Sequence, residues 1–295
     1  MRKTFIVLGA AISVSACFAV TDDLSGLHDA QSLVMSFDAM YQHANQHFEF
    51  KLVDGANRTA TRGIVLNLKM TDGRFKISLP LTIPSDLTGY RVDFWADETG
   101  DGKYEFDHAW EKDGEFARLD HSWRVFLDAA AQPPDPFSKV THVDQSYLLA
   151  FEHNLAFVDL NELPDRGKQD PPSDTNINAA IHIDGLGAEG KMAQIRVADP
   201  VGHIVGLYRF RTSSLTDFII PGCIEPGNVY TVDLYVDANG NNDANGNGYD
   251  DPSKGPGNDL GWRLPPTKAG DGTAGLSVTF NAADTAHGNV DVGPP

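Results

Sequence analysis

Cysteine is nearly absent from this chain of 295 residues, which contains two, Cys17 and Cys223. A framework of several intramolecular disulfides is therefore excluded. Cys223 lies in FIIPGCIEPG with no histidine or cation beside it, so we expect a buried, unreactive thiol. Positive charge is also scarce, because 23 Lys and Arg stand against 41 Asp and Glu, giving a net charge of −18. This balance argues against a nucleic-acid partner, since phosphate binding needs a basic face.

The common catalytic signatures are missing as well. The sequence has no Gly-x-Ser-x-Gly, no His-Glu-x-x-His, no phosphate-binding glycine loop and no dinucleotide fingerprint. Its carboxylates are so numerous that no single pair of them identifies a hydrolytic site. We therefore predict a non-catalytic protein. Its acidic surface suits solubility and cation binding equally well.

A short apolar stretch marks the N-terminus. Arg2 and Lys3 precede the apolar run from Phe5 to Ile12, which is shorter than the ~20 residues of a membrane-spanning helix. It leads into VSAC, ending at Cys17, and this resembles the lipobox of bacterial lipoproteins. The resemblance implies cleavage of residues 1–16, acylation of Cys17, attachment to a membrane through the N-terminal lipid, and an outer-membrane or cell-surface location. The alternative is an ordinary signal peptide that contains a cysteine.

Several sequence patterns occur twice in the same order. GYRVDFWADETGDG (89–102) parallels VYTVDLYVDANGNN (229–242), and DHSWRV (120–125) parallels DLGWRL (259–264). FEFKLVD, ending at Asp54, parallels AQIRVAD, ending at Asp199. These matches predict a duplicated module. The two predicted modules cover residues 29–160 and 178–295, after a tether of residues 17–28, and a proline-rich linker of residues 161–177 joins them.

Within each module the apolar residues alternate with polar ones. In YTVDLYVD (230–237) the residues Tyr, Val, Leu and Val point one way and their neighbours the other. Many such short segments, bounded by turn residues and without helices between them, are typical of antiparallel sandwiches. We predict an all-β protein of two tandem antiparallel β-sandwich modules, Ig-like or transthyretin-like.

A loop rich in acidic and amide residues follows the same strand in each module. In the first loop, carboxylate and hydroxyl oxygens occupy alternate positions and a glycine follows, as at the start of an EF-hand calcium loop. Position twelve is His108 rather than Glu, so Asp107 or Glu105 would have to complete the ligand set. The predicted ligands are Asp97, Thr99, Asp101, the carbonyl of Lys103, and Asp107.

The second loop uses one hexapeptide twice, as DANGNN and DANGNG. Hard oxygen ligands favour Ca²⁺ over transition metals. The alternative is a series of turns, since Asn-Gly and Asp-Gly are strong hairpin signals. The predicted ligands are Asp237, Asn239, Asn241, Asp243, Asn245, Asn247, the carbonyl of Tyr249, Asp250 and Asp251.

Both loops resemble the DxNxDG loops of dockerins and thrombospondin type 3 repeats. This short resemblance implies calcium-stabilised surface proteins and no catalytic activity. A strand, such a loop and a following Asp-x-x-Trp-Arg also resemble bacterial secreted lipoproteins with repeated β-sandwich domains. We therefore predict an exported, lipid-anchored, calcium-stabilised surface protein that serves adhesion or ligand binding.

Two other residue patterns leave alternatives open. Trp110 and the dipeptides Trp123-Arg124 and Trp262-Arg263 would form a carbohydrate- or cell-wall-binding platform if the rings are exposed, or core plugs if they are buried. His43 and His47 lie four residues apart, which places both on one face of a strand or helix. With a third ligand they would bind a periplasmic transition metal, and without one they are surface histidines.

Overall fold

The computed structural model describes most of the chain. The residues outside the description include residues 1–30 and residues 161–176 of the predicted linker 161–177. The described ranges are 31–56, 58–65, 73–83, 87–100, 104, 120–128, 138–153, 158, 160, 177–186, 190–212, 217–241, 249–254, 258–270, 275–284 and 286–293.

Sixteen β-strands form the described structure, and two short 3₁₀ turns accompany them, at Tyr41–His43 and Pro252–Lys254. The first eight strands are β1 (Gln31–Asp38), β2 (His47–Val53), β3 (Thr59–Val65), β4 (Phe75–Ile83), β5 (Arg91–Asp97), β6 (His121–Phe126), β7 (Ser138–Val143) and β8 (Ser146–Glu152). The second eight are β9 (Ile177–Asp184), β10 (Met192–Ala198), β11 (Ile204–Arg211), β12 (Asp217–Ile224), β13 (Val229–Val236), β14 (Leu260–Arg263), β15 (Thr267–Lys268) and β16 (Leu276–Asn281). The protein is all-β, as the sequence predicts. No helix in the described ranges has the length and apolar character needed to cross a membrane.

The strands form three sheets whose topology repeats. One sheet has the order β4-β1-β8-β7, a second has β12-β9-β16, and the long sheet has β14-β13-β10-β11-β3-β2-β5-β6, with β15 also paired to β13. In both halves of the chain the first strand pairs antiparallel with the fourth and parallel with the last. We call β1–β8 the N-terminal sandwich and β9–β16 the C-terminal sandwich. Each consists of one half of the long sheet and the smaller sheet that covers it.

The two hydrophobic cores lie on opposite faces of the long sheet. The halves of this sheet meet where β11 pairs in parallel with β3, with Leu207 beside Gly63 and Tyr208 beside Ile64. Leu207 packs into the N-terminal core, whereas Tyr208 and Ile64 pack into the C-terminal core. Because successive residues of a strand point to opposite faces, the smaller sheets must cover opposite sides of the long sheet.

Polar contacts also cross between the sandwiches. The Thr61 hydroxyl donates to the carbonyl of Ile204 at 2.6 Å. Arg209 on β11 is buried, and its Nη1 donates to the carbonyl of Lys76 on β4 at 2.5 Å. Its Nε donates to Gln194 Oε1 at 2.8 Å. Burial lowers the pKa of Arg209 to about 9. The bonds to Ile204 and Lys76 join the two sandwiches in addition to the pairing of β3 with β11, whereas the bond to Gln194 lies within the C-terminal sandwich.

Two features differ from the sequence-based expectation. Three strand pairs are parallel, β1 with β8, β9 with β16 and β11 with β3, whereas the sequence predicts antiparallel pairing throughout. The sequence also predicts modules joined through a linker, and the structure joins them through a continuous sheet. Hydrophobic alternation assigns residues to the two faces of a strand but does not identify the neighbouring strand. The parallel pairs and the continuous sheet could therefore not be predicted from it.

Candidate metal sites

Each sandwich brings two buried aspartates together at the same end of the long sheet. Asp97 ends β5 and Asp237 directly follows β13, while Asp120 and Asp259 directly precede β6 and β14. The antiparallel registers pair Ala96 with His121 and Val236 with Leu260. One step further along each pair of strands, Asp97 lies opposite Asp120 and Asp237 lies opposite Asp259. All four are buried. The same pair of buried carboxylates therefore occurs in both sandwiches.

In the N-terminal sandwich this pair organises the start of the loop. Asp97 Oδ1 accepts bonds from the Gly100 amide at 2.5 Å and the Thr99 hydroxyl at 3.1 Å. Asp120 Oδ1 accepts a bond from the Glu98 amide at 2.9 Å. The predicted ligands Asp97 and Thr99 thus lie together. Bonds of this kind also form in Asp-initiated turns, so they are compatible with both sequence-based interpretations.

The C-terminal loop folds back on Asp250. The side-chain amides of Asn239 and Asn241 donate to Asp250 Oδ2 at 2.7 and 2.8 Å, and the Gly240 amide donates to Asp237 Oδ1 at 2.7 Å. The structure therefore brings the predicted ligands Asp237, Asn239, Asn241 and Asp250 into one group. Their oxygens lie on the loop between β13 and β14.

Asp259, which sequence analysis did not include among the ligands, is the most informative member of this group. Its Oδ2 accepts bonds from the Tyr235 hydroxyl at 2.6 Å and from the Asp250 amide at 2.8 Å. Its Oδ1 is buried and has no hydrogen-bond donor among the described residues. Burial raises the pKa of Asp259, and the neighbouring charges of Asp237 and Asp250 raise it further. A cation would satisfy this oxygen and reduce the repulsion. The sequence feature that could have identified Asp259 is the Asp that DHSWRV and DLGWRL share.

The side chains of Asp251 and Tyr249 make further contacts. Asp251 Oδ1 accepts bonds from the amide and hydroxyl of Ser253, and the Lys254 ammonium lies 3.3 Å from its Oδ2. These contacts cap the 3₁₀ turn, and the assignment of Asp251 as a calcium ligand stays a prediction. The Tyr249 hydroxyl donates to Asp291 and its ring packs against Tyr235.

The remaining predicted residues lie outside the described ranges: Cys17, Asp101, Lys103, Asp107, His108, Trp110, Asp243, Asn245 and Asn247.

The Trp-Arg dipeptides do not form the carbohydrate platform that was one of the two alternatives. Trp123 is buried in the N-terminal core, where it stacks on Phe94 with ring centroids 5.3 Å apart, and Trp262 is buried in the C-terminal core. Arg124 and Arg263 point to the opposite face and bind carboxylates there. Alternation along the strand explains the separation, since adjacent residues cannot share a face. The core-plug alternative holds for both tryptophans.

The alternative in which His43 and His47 bind one metal ion together is not supported, and the alternative that both are surface histidines is wrong for His43, which is buried. His43 lies in a 3₁₀ turn and His47 begins β2, so the two do not share one regular element. His47 stacks on Trp95 with ring centroids 5.3 Å apart. His43 turns instead toward His121 and His153, and one nitrogen from each of these three rings lies within 4.8 Å of the others. Sequence analysis missed this group because its members come from distant parts of the chain.

Cys223 is buried and unpaired, as the sequence predicts. Its thiol lies 3.4 Å from the carbonyl of Ile220, and burial raises its pKa to about 12. A thiol in this state is not a nucleophile near neutral pH.

Comparison with known proteins identifies no family. No protein-family model matches the chain, and no curated protein matches it. The TIE protein of Bacillus anthracis superposes with a TM-score of 0.20 at 10% identity, covering 85% of this chain and 33% of that one, so the chain spans about a third of its length. A variant of the shaft pilin SpaA from Lactobacillus rhamnosus GG gives 0.21 at 10% identity, covering 86% and 98%. The major pilin of Streptococcus pyogenes gives 0.20 at 10% identity, covering 85% and 97%. Similarities this low carry no argument about function.

Proposed function

We propose that the protein is an exported, non-catalytic surface protein whose acidic loops bind calcium and thereby present a rigid surface for adhesion or ligand binding. The observation that carries the proposal is the carboxylate of Asp259. It is buried beside Asp237 and Asp250, and its Oδ1 lacks a donor in the described part of the chain. A buried acceptor without a partner costs about 1–3 kcal/mol, and more when it is charged.

Calcium is the ion that this donor set favours. The group offers carboxylate and amide oxygens and no sulfur or imidazole, which suits a hard cation with six to eight oxygen ligands. Binding would tie the loop after β13 to the start of β14. It would also offset part of the repulsion in a chain of net charge −18. The role is therefore structural, and the ordered loop end of each sandwich is the surface offered to a carbohydrate or protein ligand.

Thermal unfolding in EDTA and in millimolar calcium tests the proposal. We expect calcium to raise the Tm of the full chain by several degrees, because a ligand that binds only the folded state stabilises it by mass action. Asp237→Asn combined with Asp250→Asn should remove the part of this rise that comes from the C-terminal loop. The matched control is Asp199→Asn, whose carboxylate accepts bonds in a turn of the same sandwich far along the chain from the loop. An equal rise with calcium and magnesium, unaffected by the loop variant, would identify the loop as turns only.

Export and lipid attachment rest on the N-terminal sequence ending at Cys17. The proposed anchor is an acyl group on this cysteine, which would leave the two sandwiches outside the membrane. Labelling of the expressed protein with an alkyne fatty acid tests it. Labelling that is lost in Cys17→Ser and kept in Cys223→Ser supports the anchor, whereas labelling absent from the wild-type chain rejects it.

A further inference from the structure

Three histidines from separate segments meet at one end of the N-terminal sandwich. His43 lies in the 3₁₀ turn before β2, His121 begins β6, and His153 directly follows β8. The ring centroid of His43 lies 5.1 Å from those of both His121 and His153, which are 6.4 Å from each other. The His153 amide donates to the carbonyl of Asp38 at 2.9 Å, which fixes the end of β8 against β1. The strand pairing therefore positions the group.

The hydrogen bonds of His43 leave its Nε2 without a proton, at a buried position. His43 Nδ1 lies 2.8 Å from Gln46 Oε1, while Gln46 Nε2 donates to the carbonyl of Gln42 at 3.5 Å. An amide oxygen only accepts, so the His43 proton is on Nδ1 and Nε2 keeps its lone pair. The Nε2 atoms of His43 and His153 are buried and have no hydrogen-bond partner within the described ranges. Such atoms are costly unless something binds them.

Burial favours the neutral form of these rings. Burial lowers the pKa of His43 to about 4 and that of His121 to about 4, with the other histidines of the group contributing, and burial also lowers the pKa of His153. Neutral imidazole is the form that coordinates a metal ion. The Glu98 carboxylate lies 3.0 Å from His121 Nδ1 and 3.6 Å from His43 Nδ1. A carboxylate behind the coordinating rings orients them and offsets the charge of a cation.

The core side of the group is closed by Trp123. Its ring centroid lies 5.4 Å from that of His43, 6.0 Å from that of His121 and 5.6 Å from that of His153. An apolar wall of this kind limits access of water to an ion and fixes the rotation of the rings.

We propose that His43, His121 and His153 form a binding site for a divalent transition-metal ion of the zinc–copper class, separate from the calcium loops. Imidazole nitrogens select zinc and copper over calcium and magnesium. Zinc–nitrogen bonds of about 2.0–2.1 Å in a tetrahedral site place the nitrogens roughly 3.3 Å apart. The nitrogens lie within 4.8 Å of one another, so they reach that spacing with a contraction of at most about 1.5 Å. The bound ion ties the 3₁₀ turn, β6 and the end of β8 together and leaves its fourth position open.

The C-terminal sandwich provides an internal comparison. The register that pairs His121 with Ala96 pairs Leu260 with Val236, so leucine occupies the position of His121. His121→Leu is therefore a substitution that the same local fold accommodates. It removes one imidazole without leaving a polar group in its place.

Zinc titration of the full chain, stripped of metal and kept in millimolar calcium to occupy oxygen sites, tests the proposal. We expect one equivalent to bind with micromolar or tighter affinity. His121→Leu and His153→Ala should each weaken it at least tenfold, by analogy with the 10–100-fold loss on disrupting weaker supporting contacts of metal sites. His182→Ala is the matched control, because His182 lies on the surface of the C-terminal sandwich in contact with Asp217. Unfolding in EDTA checks that each variant is folded.

Two optical readouts locate the ion. Cobalt bound to the imidazoles should absorb in the visible, and copper should quench the fluorescence of the adjacent Trp123, with both signals lost in His153→Ala. Absence of stoichiometric zinc binding would overturn the proposal. So would a binding constant that is unchanged in both His121→Leu and His153→Ala while these variants remain folded.

Discussion

Arg124 binds Asp93 directly across the β5·β6 pair, with its Nε and Nη2 donating to the two carboxylate oxygens at 2.5 and 2.6 Å. Arg263 binds Asp233 in the same way across β13·β14, at 2.8 and 2.7 Å. The bidentate geometry is the strong form of this ion pair. The arginine of each Trp-Arg dipeptide is therefore occupied by a cross-strand carboxylate, on the face of the sheet opposite to the tryptophan.

The two arginines should differ in their contribution to stability. The Arg124 side chain is 8% exposed and that of Arg263 is 47% exposed. Removing one partner of a fully buried pair costs about 3 kcal/mol or more, whereas exposed pairs contribute at most about 1 kcal/mol. In Arg124→Ala the buried Arg91, whose Nε lies 3.3 Å from Asp93 Oδ2, still compensates part of the carboxylate charge. We expect Arg124→Ala to lower the free energy of unfolding by about 2 kcal/mol and Arg263→Ala by about 1 kcal/mol, measured with urea. Arg124→Lys should fall between wild type and Arg124→Ala, because it keeps the charge but not the two parallel bonds. Equal losses for the two alanine variants would contradict this account.

Asp259→Asn should act in opposite directions with and without calcium. In EDTA the variant removes a charge that repels Asp237 and Asp250, while an amide oxygen still accepts from Tyr235 and the Asp250 backbone. We expect a gain in unfolding free energy of about 1 kcal/mol. In millimolar calcium the same variant should be less stable than wild type, because one ligand is lost. Calorimetry of both proteins in both buffers measures this reversal of the order of stability. A variant that is less stable than wild type in EDTA would show that the Asp259 carboxylate does not destabilise the calcium-free protein.

The local features of this protein were predictable from sequence, and those that depend on strand neighbours were not. Period-two alternation in YTVDLYVD and the turn residues after Asp237 are local, so the strand and its loop were correctly placed. Asp120 and Asp259 were visible as repeated residues, but a pattern confined to one loop does not include a carboxylate that precedes the next strand. The histidine group required the pairing of β1 with β8 and of β5 with β6, which joins residues 43, 121 and 153. The four-residue spacing in the sequence therefore paired His43 with His47, which packs on Trp95 and is not part of the histidine group.

The shared sheet should make the C-terminal sandwich unstable alone. β11 pairs with β3, and Leu207 packs in the core of the other sandwich. A fragment of residues 177–295 exposes this strand edge and its apolar face, and such edges associate. We expect the fragment to unfold at lower urea concentration than the full chain and to self-associate in sedimentation velocity. A monomeric fragment with the stability of the full chain would show that the pairing of β3 with β11 contributes little.

The metal-free chain should lose stability in mild acid because of its histidine group. The pKa values of His43 and His121 are about 4 in the folded protein, against an ordinary value of 6.5. Between these values the unfolded chain binds protons that the folded chain does not, so stability is complete above about pH 6.5 and falls as pH decreases toward 4. One pKa unit corresponds to about 1.36 kcal/mol, and partial solvent access reduces the effect to roughly 1–2 kcal/mol for each histidine.

Urea unfolding at about pH 7, 5.5 and 4.5 in EDTA measures how steeply the free energy of unfolding falls with pH. His121→Leu, which has one such group fewer, should show a shallower decline than His182→Ala, and equal slopes would mean that the group does not titrate in this window.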